Sequence, residues 1–229
     1  YLGSNPQQIF AVHSNEDGSS FVAAGLDNFT QFNGHAVNSK ILKLTPNGYI
    51  DYSFDCSQTY NQRTNKIEEL DNGSILISTD GSTSQNNGQL GLYMLNSDGS
   101  SSQYFNVGPI GFNGDVNDFA VQEDGKIIVV GDFFEFNGQS VGKVVRLNSN
   151  GSLDNSFNFN VNLVNSGYGG PRIECVAIDS LGRILIGGLF NGSIIRLSSS
   201  GLFQKRFAPI GERGLTMRRE YNGNDYFGD

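Results

Sequence analysis

Few side chains in this 229-residue chain have the type and spacing to do chemistry. Glu68 and Glu69 stand together, and two carboxylates, one protonated and one ionised, are what acid–base cleavage of a polysaccharide needs. Asp27, Asp80 and Asp132 recur at similar intervals, each just after a short apolar run, so a ring of them could offer oxygen ligands to Ca²⁺. Leu189 takes the fourth such place and breaks the ring, and none of these segments has the twelve-residue EF-hand pattern, so the aspartates read as turn or surface residues. His13 and His35 lack metal-ligand spacing, and no Gly-x-Ser-x-Gly, HExxH or phosphate-cradling glycine loop is present. No catalytic, cofactor-binding or metal-binding residue is assigned, and no cofactor is expected. Glu68 and Glu69 are the only acid–base candidates that can be named.

Binding chemistry has more material. Phe32-Asn33-Gly34, Phe136-Asn137-Gly138 and Phe190-Asn191-Gly192 recur, with Asn87-Gly88 as a weaker counterpart. Aromatic and amide groups repeated around a rim could stack on sugars and hydrogen-bond to them. The structural reading is favoured: Asn-Gly suits a turn with positive φ, and the Phe fills a gap between sheets. Lys205, Arg206, Arg213, Arg218 and Arg219 gather in one stretch that could dock an acidic neighbour or stand solvated. Asn28, Asn72, Asn150 and Asn191 each begin a glycosylation sequon, but three of the four are turns in their own right and no modification is assigned.

Net charge −8 and a pI near 4.7 argue against sequence-independent nucleic-acid binding, which needs a basic face. No run approaches the ~18 apolar residues of a membrane-spanning helix, and no basic-then-apolar segment opens the chain. Cys56 and Cys175 occupy non-equivalent places in distant parts of the sequence, so two free thiols are expected rather than a disulfide.

What must position all of these groups is a repeat. Leu44, Leu95, Leu147 and Leu197 are 51, 52 and 50 residues apart, and Gly48, Gly99, Gly151 and Gly201 keep the same steps, as do Phe54, Phe105, Phe157 and Phe207. The units run over about 9–55, 56–106, 107–158 and 159–208, within a repeat region of 1–208. Residues 209–229 form a tail or, through Leu215-Thr-Met-Arg218, a closing strand. In the third unit Val116–Gln122 and Lys126–Gly131 flank the Glu123-Asp-Gly125 turn as a hairpin, followed by Gly142–Leu147, the Ser149-Asn-Gly151 turn and Ser152–Phe157. The apolar runs are short, β-branched and cut by Gly, Asn and Asp, so almost no helix is expected. Four short antiparallel strands per unit predict an all-β β-propeller of four-stranded blades, either four repeats alone or part of a larger ring; a β-solenoid is the runner-up.

As it stands at residues 121–157, the unit Val-Gln-x-Asp-Gly-Lys-Ile-x-Val-x-Gly … Phe-x-x-Phe-Asn-Gly … Val-x-Arg-Leu-Asn-x-x-Gly-Ser-Leu-Asp-x-Ser-Phe closely resembles the delta-60 repeat. That resemblance covers roughly residues 9–207; it is strong in the third unit, fair in the first and fourth, and weak in the second. The second unit carries Ile67-Glu-Glu-Leu70 where the family favours an apolar strand, and its Leu95 lacks the preceding Arg. The resemblance implies a β-propeller-like fold of the kind found in bacterial surface and secreted proteins. The expectation is a non-enzymatic binding or assembly module of an extracellular or virion surface, either adhesin-like or a phage tail or fibre component. Its partners would be other protein subunits or a surface glycan or receptor, within a larger oligomer or longer chain. A polysaccharide-acting hydrolase or lyase and a purely structural spacer are the alternatives.

Overall fold

The structure, a computed structural model, describes residues 8–24, 31–37, 39–56, 63–80, 91–108, 110–160, 164, 172–190 and 194–207. Among them there is no α-helix, and every strand pairing is antiparallel. The first unit pairs β1 (Ile9–Ser14), β2 (Ser20–Ala24) and β5 (Ile41–Leu44), with β3 (Gln31–Phe32) and β4 (His35–Ala36) as a small side hairpin. The second pairs β6 (Thr64–Glu69), β7 (Ile75–Thr79) and β8 (Leu92–Leu95). In the third, β9 (Val116–Val121), β10 (Ile127–Gly131) and β13 (Val144–Leu147) form the sheet, and β11 (Glu135–Phe136) and β12 (Gln139–Ser140) form its side hairpin. The fourth pairs β14 (Arg172–Ile178), β15 (Ile184–Leu189), β16 (Ile194–Leu197) and β17 (Phe203–Phe207).

Four strands per unit is therefore met in one sheet and corrected in three. In the first three units the last strand shrinks to single bridges, Leu44–Ile50, Leu95–Ser101 and Leu147–Leu153. Local polar turns account for the difference. Asp51 Oδ1 accepts from Ser53 N at 3.0 Å, Asp154 Oδ1 from Ser156 N at 2.9 Å, and Ser102 Oγ from Tyr104 N at 3.4 Å, each bending the chain off the ladder. The fourth unit has Gln204 at that place, and β17 runs on to Phe207.

Successive sheets pack face to face through three apolar layers. Phe21, Ala23 and Ile41 of the first unit meet Ile67 and Ile77 of the second; Leu76 and Leu92 meet Phe119 and Val129; Ile128 and Val144 meet Val176 and Ile186. A sheet covered on both sides needs apolar residues on both faces of its middle strand, and all of Ile127–Val130 are buried. The outer edge is stitched by a repeated hydrogen bond. Asp55 N donates to Asp98 O at 2.9 Å, Asn106 N to Asn150 O at 2.9 Å and Asn158 N to Ser200 O at 3.1 Å, each donor following the periodic Phe and each acceptor preceding the next unit's periodic Gly. Gly151 shows why that Gly recurs: its φ is 87°, and a Cβ there would lie 2.8 Å from the backbone of Asn106.

The first strand of each unit carries a register shift, leaving Phe10, Asn65, Asn117 and Glu174 as the extra residues. A β-bulge re-aims its side chain. Here the aim is the next unit: Asn65 Nδ2 donates to Val116 O at 3.0 Å, Asn117 Nδ2 to Ile173 O at 2.7 Å, and the Arg63 guanidinium lies 4.2 Å from the Phe10 ring. Opposite the bulge the third and fourth units carry Gly, and a Cβ on Gly131 would run into the carbonyl oxygen of Asp115 and one on Gly188 into that of Arg172, whereas the first and second units hold Ala24 and Thr79 at that place. We expect Gly131→Ala to lower stability by about 2–3 kcal/mol, read as a shift in urea midpoint. An unchanged midpoint would show that the bulge relaxes freely.

A cleft between the second and third units

The longest motif of the sequence, Gln122 to Phe157, folds into one polar network at the outer edge of the third unit. Arg146 is buried; its Nε donates to Asp154 Oδ2 at 2.8 Å, its Nη1 to Ser199 O of the fourth unit at 2.7 Å and to Gln122 Oε1 at 3.3 Å. Lys126 Nζ donates to the same Asp154 oxygen at 2.8 Å, and the guanidinium lies 5.0 Å from the centre of the Phe157 ring. Burial opposes ionisation of Asp154, but hydrogen bonds from Lys126, Ser156 and Arg146 outweigh it and hold the carboxyl well below the ordinary range. The network fills the rim between the third and fourth units.

Fifty-two residues earlier, the second unit has replaced its members. Leu70 stands for Gln122, Ser74 for Lys126, Met94 for Arg146, Ser102 for Asp154 and Tyr104 for Ser156. Where the network would lie there is a cleft of about 730 Å³, lined by all five of these residues together with Phe105, Glu68, Gln122, Glu123 and Ser149. Ser149 is the counterpart of Ser199, the residue that Arg146 grips one unit later. The cleft is thus the space left by a missing guanidinium and its partners. Its wall offers carboxylates, amides and hydroxyls over a floor containing Met94, Val121 and Ile127, and Tyr104 at its edge is 91% exposed.

Glu68 and Glu69 both contribute to this wall, but neighbours on a strand project to opposite faces. Glu69 turns to the first unit, where Asn15 Nδ2 donates to it at 2.5 Å and Lys43 lies 3.6 Å away. Glu68 stays with Lys66 at 3.3 Å, whose ammonium also meets Asp118 at 3.1 Å and donates to Phe119 O at 2.6 Å. The two carboxylates do not face each other across a substrate position.

The Phe-Asn-Gly triplets act as plugs and clamps. Asn137 has φ 52° and Asn33 φ 49°. Asn137 Oδ1 accepts from Ile110 N at 3.2 Å and Gly111 N at 3.0 Å, while its Nδ2 donates to Val107 O at 2.5 Å. Phe136 is buried with its ring 4.8 Å from Phe112, and Phe190 is buried as well. Asn191, Gly192, Asn87 and Gly88 lie outside the described residues.

The remaining candidates are dispersed. Asp80 pairs with Arg63 at 3.7 Å and Asp132 with Lys143 at 2.8 Å, while Asp27 lies outside the described residues. Among the described residues no three His, Cys, Asp or Glu side chains gather as a metal-binding group. His13 pairs in register with Phe21, and His35 is exposed on a side hairpin. Asn72 and Asn150 accept from Ser74 N at 2.9 Å and Ser152 N at 3.1 Å, so these sequon asparagines are turn formers. Both cysteines are free; Cys56 is buried, which pushes its thiol pKa up, and Cys175 is exposed. Lys205 and Arg206 lie on β17, whereas Asn28, Arg213, Arg218, Arg219, the strand expected at 215–218 and the 209–229 tail fall outside the described residues.

Residues 122–157, the span of the Arg146 network, match the family model described as a "Domain of unknown function (DUF5122) beta-propeller". Over those residues the third unit is similar to that β-propeller family. The delta-60 repeat that the same residues resemble is a related β-propeller-like family. Solved propellers agree in fold: a streptogramin B lyase is 18% identical with a TM-score of 0.56, covering 90% of this chain and 57% of that one. PorZ, a surface component of the type-IX secretion system of Porphyromonas gingivalis, is 14% identical with a TM-score of 0.56, over 90% of this chain and 29% of its own. The WD40 propeller domain of Doa1 is 15% identical with a TM-score of 0.53, over 83% and 50%. The chain therefore spans just over half of the lyase and less than a third of PorZ. At such identities the likeness shows the fold alone. No curated relative matches the chain.

Proposed function

We propose that the chain is a non-enzymatic β-propeller module for binding and assembly, and that the cleft between its second and third units holds a polar ligand such as a surface glycan. The setting we propose is extracellular, on a bacterial or virion surface. The observation that carries the reading is the vacated network. At one rim Arg146 and Asp154 seal adjacent units; at the other, Met94, Ser102 and Tyr104 leave about 730 Å³ open beside acidic and amide groups. An exposed Tyr beside amide and carboxylate acceptors suits the apolar face and hydroxyls of a sugar. Glu68 and Glu69, each taken up by a cation on its own face, favour binding over acid–base cleavage.

A glycan array followed by titration calorimetry tests this. We expect saturable binding to a glycan with no cleavage products, and about fivefold weaker binding in Tyr104→Ala, since losing one aromatic contact removes about 1 kcal/mol. Release of shortened oligosaccharides would overturn the non-enzymatic reading, and binding indifferent to Tyr104 would move the site elsewhere.

A further inference from the structure

The cleft between the second and third units has a charge as well as a shape. Four carboxylates line it, Glu68, Glu69, Asp71 and Glu123, and none of its lining residues is Lys, Arg or His. Glu68 and Glu69 are paired with Lys66 and Lys43. Asp71 and Glu123 occupy the same place in the hairpin turns of the two units, exposed and in no ion pair among the described residues.

The neighbouring rim shows what belongs in such a space. There Arg146 fills it: the guanidinium donates to the Ser199 carbonyl at 2.7 Å and lies 5.0 Å from the centre of the Phe157 ring. One unit earlier both receptors persist without their cation. Ser149 stands for Ser199 and Phe105 for Phe157, both line the cleft, and Met94 holds the place of Arg146. A carbonyl, an aromatic ring and uncompensated carboxylates each attract a cation, through a charge-assisted hydrogen bond, the ring quadrupole and charge itself.

We propose that the cleft selects a glycan bearing a positively charged amine, an unacetylated amino sugar, whose ammonium takes the place left by the missing guanidinium. This rests on the reading of the cleft as a glycan site and adds the charge of the ligand to it. The ammonium meets the Ser149 carbonyl and the Phe105 ring within the field of Asp71 and Glu123, and the apolar face of the sugar rests on Tyr104. Acetylation removes the charge from the amine, so the acetylated sugar loses the attraction that sets this cleft apart.

Titration calorimetry tests this with an oligosaccharide of glucosamine and its N-acetylated counterpart of equal length, at about pH 6, where amines and ordinary carboxylates are both charged. The amine form should bind about tenfold more tightly, the margin by which a hydrogen bond to a charged group exceeds a neutral one. That margin should shrink in about 1 M salt, where exposed charges are screened beyond about 3 Å. Asp71→Asn combined with Glu123→Gln should erase most of the preference while the urea midpoint stays near its native value, since both sites are exposed turn positions. Tyr104→Ala should weaken the two forms alike. Equal or tighter binding of the acetylated form, a preference that survives the double variant, or an array that selects only glycans without an amine would overturn the charge inference and leave the glycan reading standing. No binding of either oligosaccharide, with no glycan selected from the array, would overturn the glycan reading and this inference with it.

Discussion

Arg146→Met, which gives the third unit the residue that the second already has, lowers the stability of the fold by about 3 kcal/mol. The loss is this large because the substitution removes a donor and leaves an acceptor behind. Asp154, with a side chain 8% exposed, keeps only Lys126 and Ser156, and the Ser199 carbonyl of the fourth unit loses the guanidinium. Adding Asp154→Ser should recover part of the loss, since the stranded carboxylate disappears with its partner. Urea midpoints of the two single variants and the double variant measure the coupling; additive effects would mean that the network is not a unit. The pH dependence follows from the depressed folded-state pKa of Asp154. Its stabilisation is fully present above the unfolded value near 3.8 and is lost as pH falls below that toward the folded value, so the gap between native and Arg146→Met proteins should narrow below about pH 4.

Phe112→Ala should cost about 3–5 kcal/mol, and that loss should not vary with pH, because no charge is involved. Phe112 is buried, with its ring 4.4 Å from Phe133 and 4.8 Å from Phe136, and it holds an otherwise irregular segment through a single bridge to Phe136. The segment cannot collapse to fill the void, since Asn137 clamps Ile110 and Gly111, and Asn113 Oδ1 accepts from Phe134 N at 2.9 Å and Glu135 N at 2.8 Å. A loss under about 1 kcal/mol would show that the Phe cluster is looser than its packing indicates.

The periodic Leu, Gly and Phe residues made the architecture legible, because each has one local job that the repeat forces on it: core, positive-φ turn against a neighbour, and outer-edge plug. The bulges were written less clearly. In Val116-Asn-Asp-Phe-Ala-Val the apolar residues at 116, 119 and 121 break strict alternation, and that break is the inserted Asn117, which only the partner strand's register reveals. The lost fourth strand in three units hung on Asp-x-Ser turns in the first and third and a Ser-x-Tyr turn in the second, which read equally well as a strand end. The cleft was hardest to see, since it is made by what the second unit lacks. Met94, Ser102 and Tyr104 are unremarked residues until they are set beside Arg146, Asp154 and Ser156 in the folded repeat. Glu68 and Glu69, adjacent in sequence, were separated by the simple geometry of a strand.

The most direct test of the central claim is to rebuild the network in the second unit and measure ligand binding. Met94→Arg with Ser102→Asp restores the guanidinium and carboxylate of the third unit across the cleft, within reach of Ser149. The account predicts a folded protein, at least as stable as the native one, that no longer binds the glycan the native protein selects from an array. Undiminished binding by the rebuilt protein, or native protein that selects no glycan at all, would contradict it.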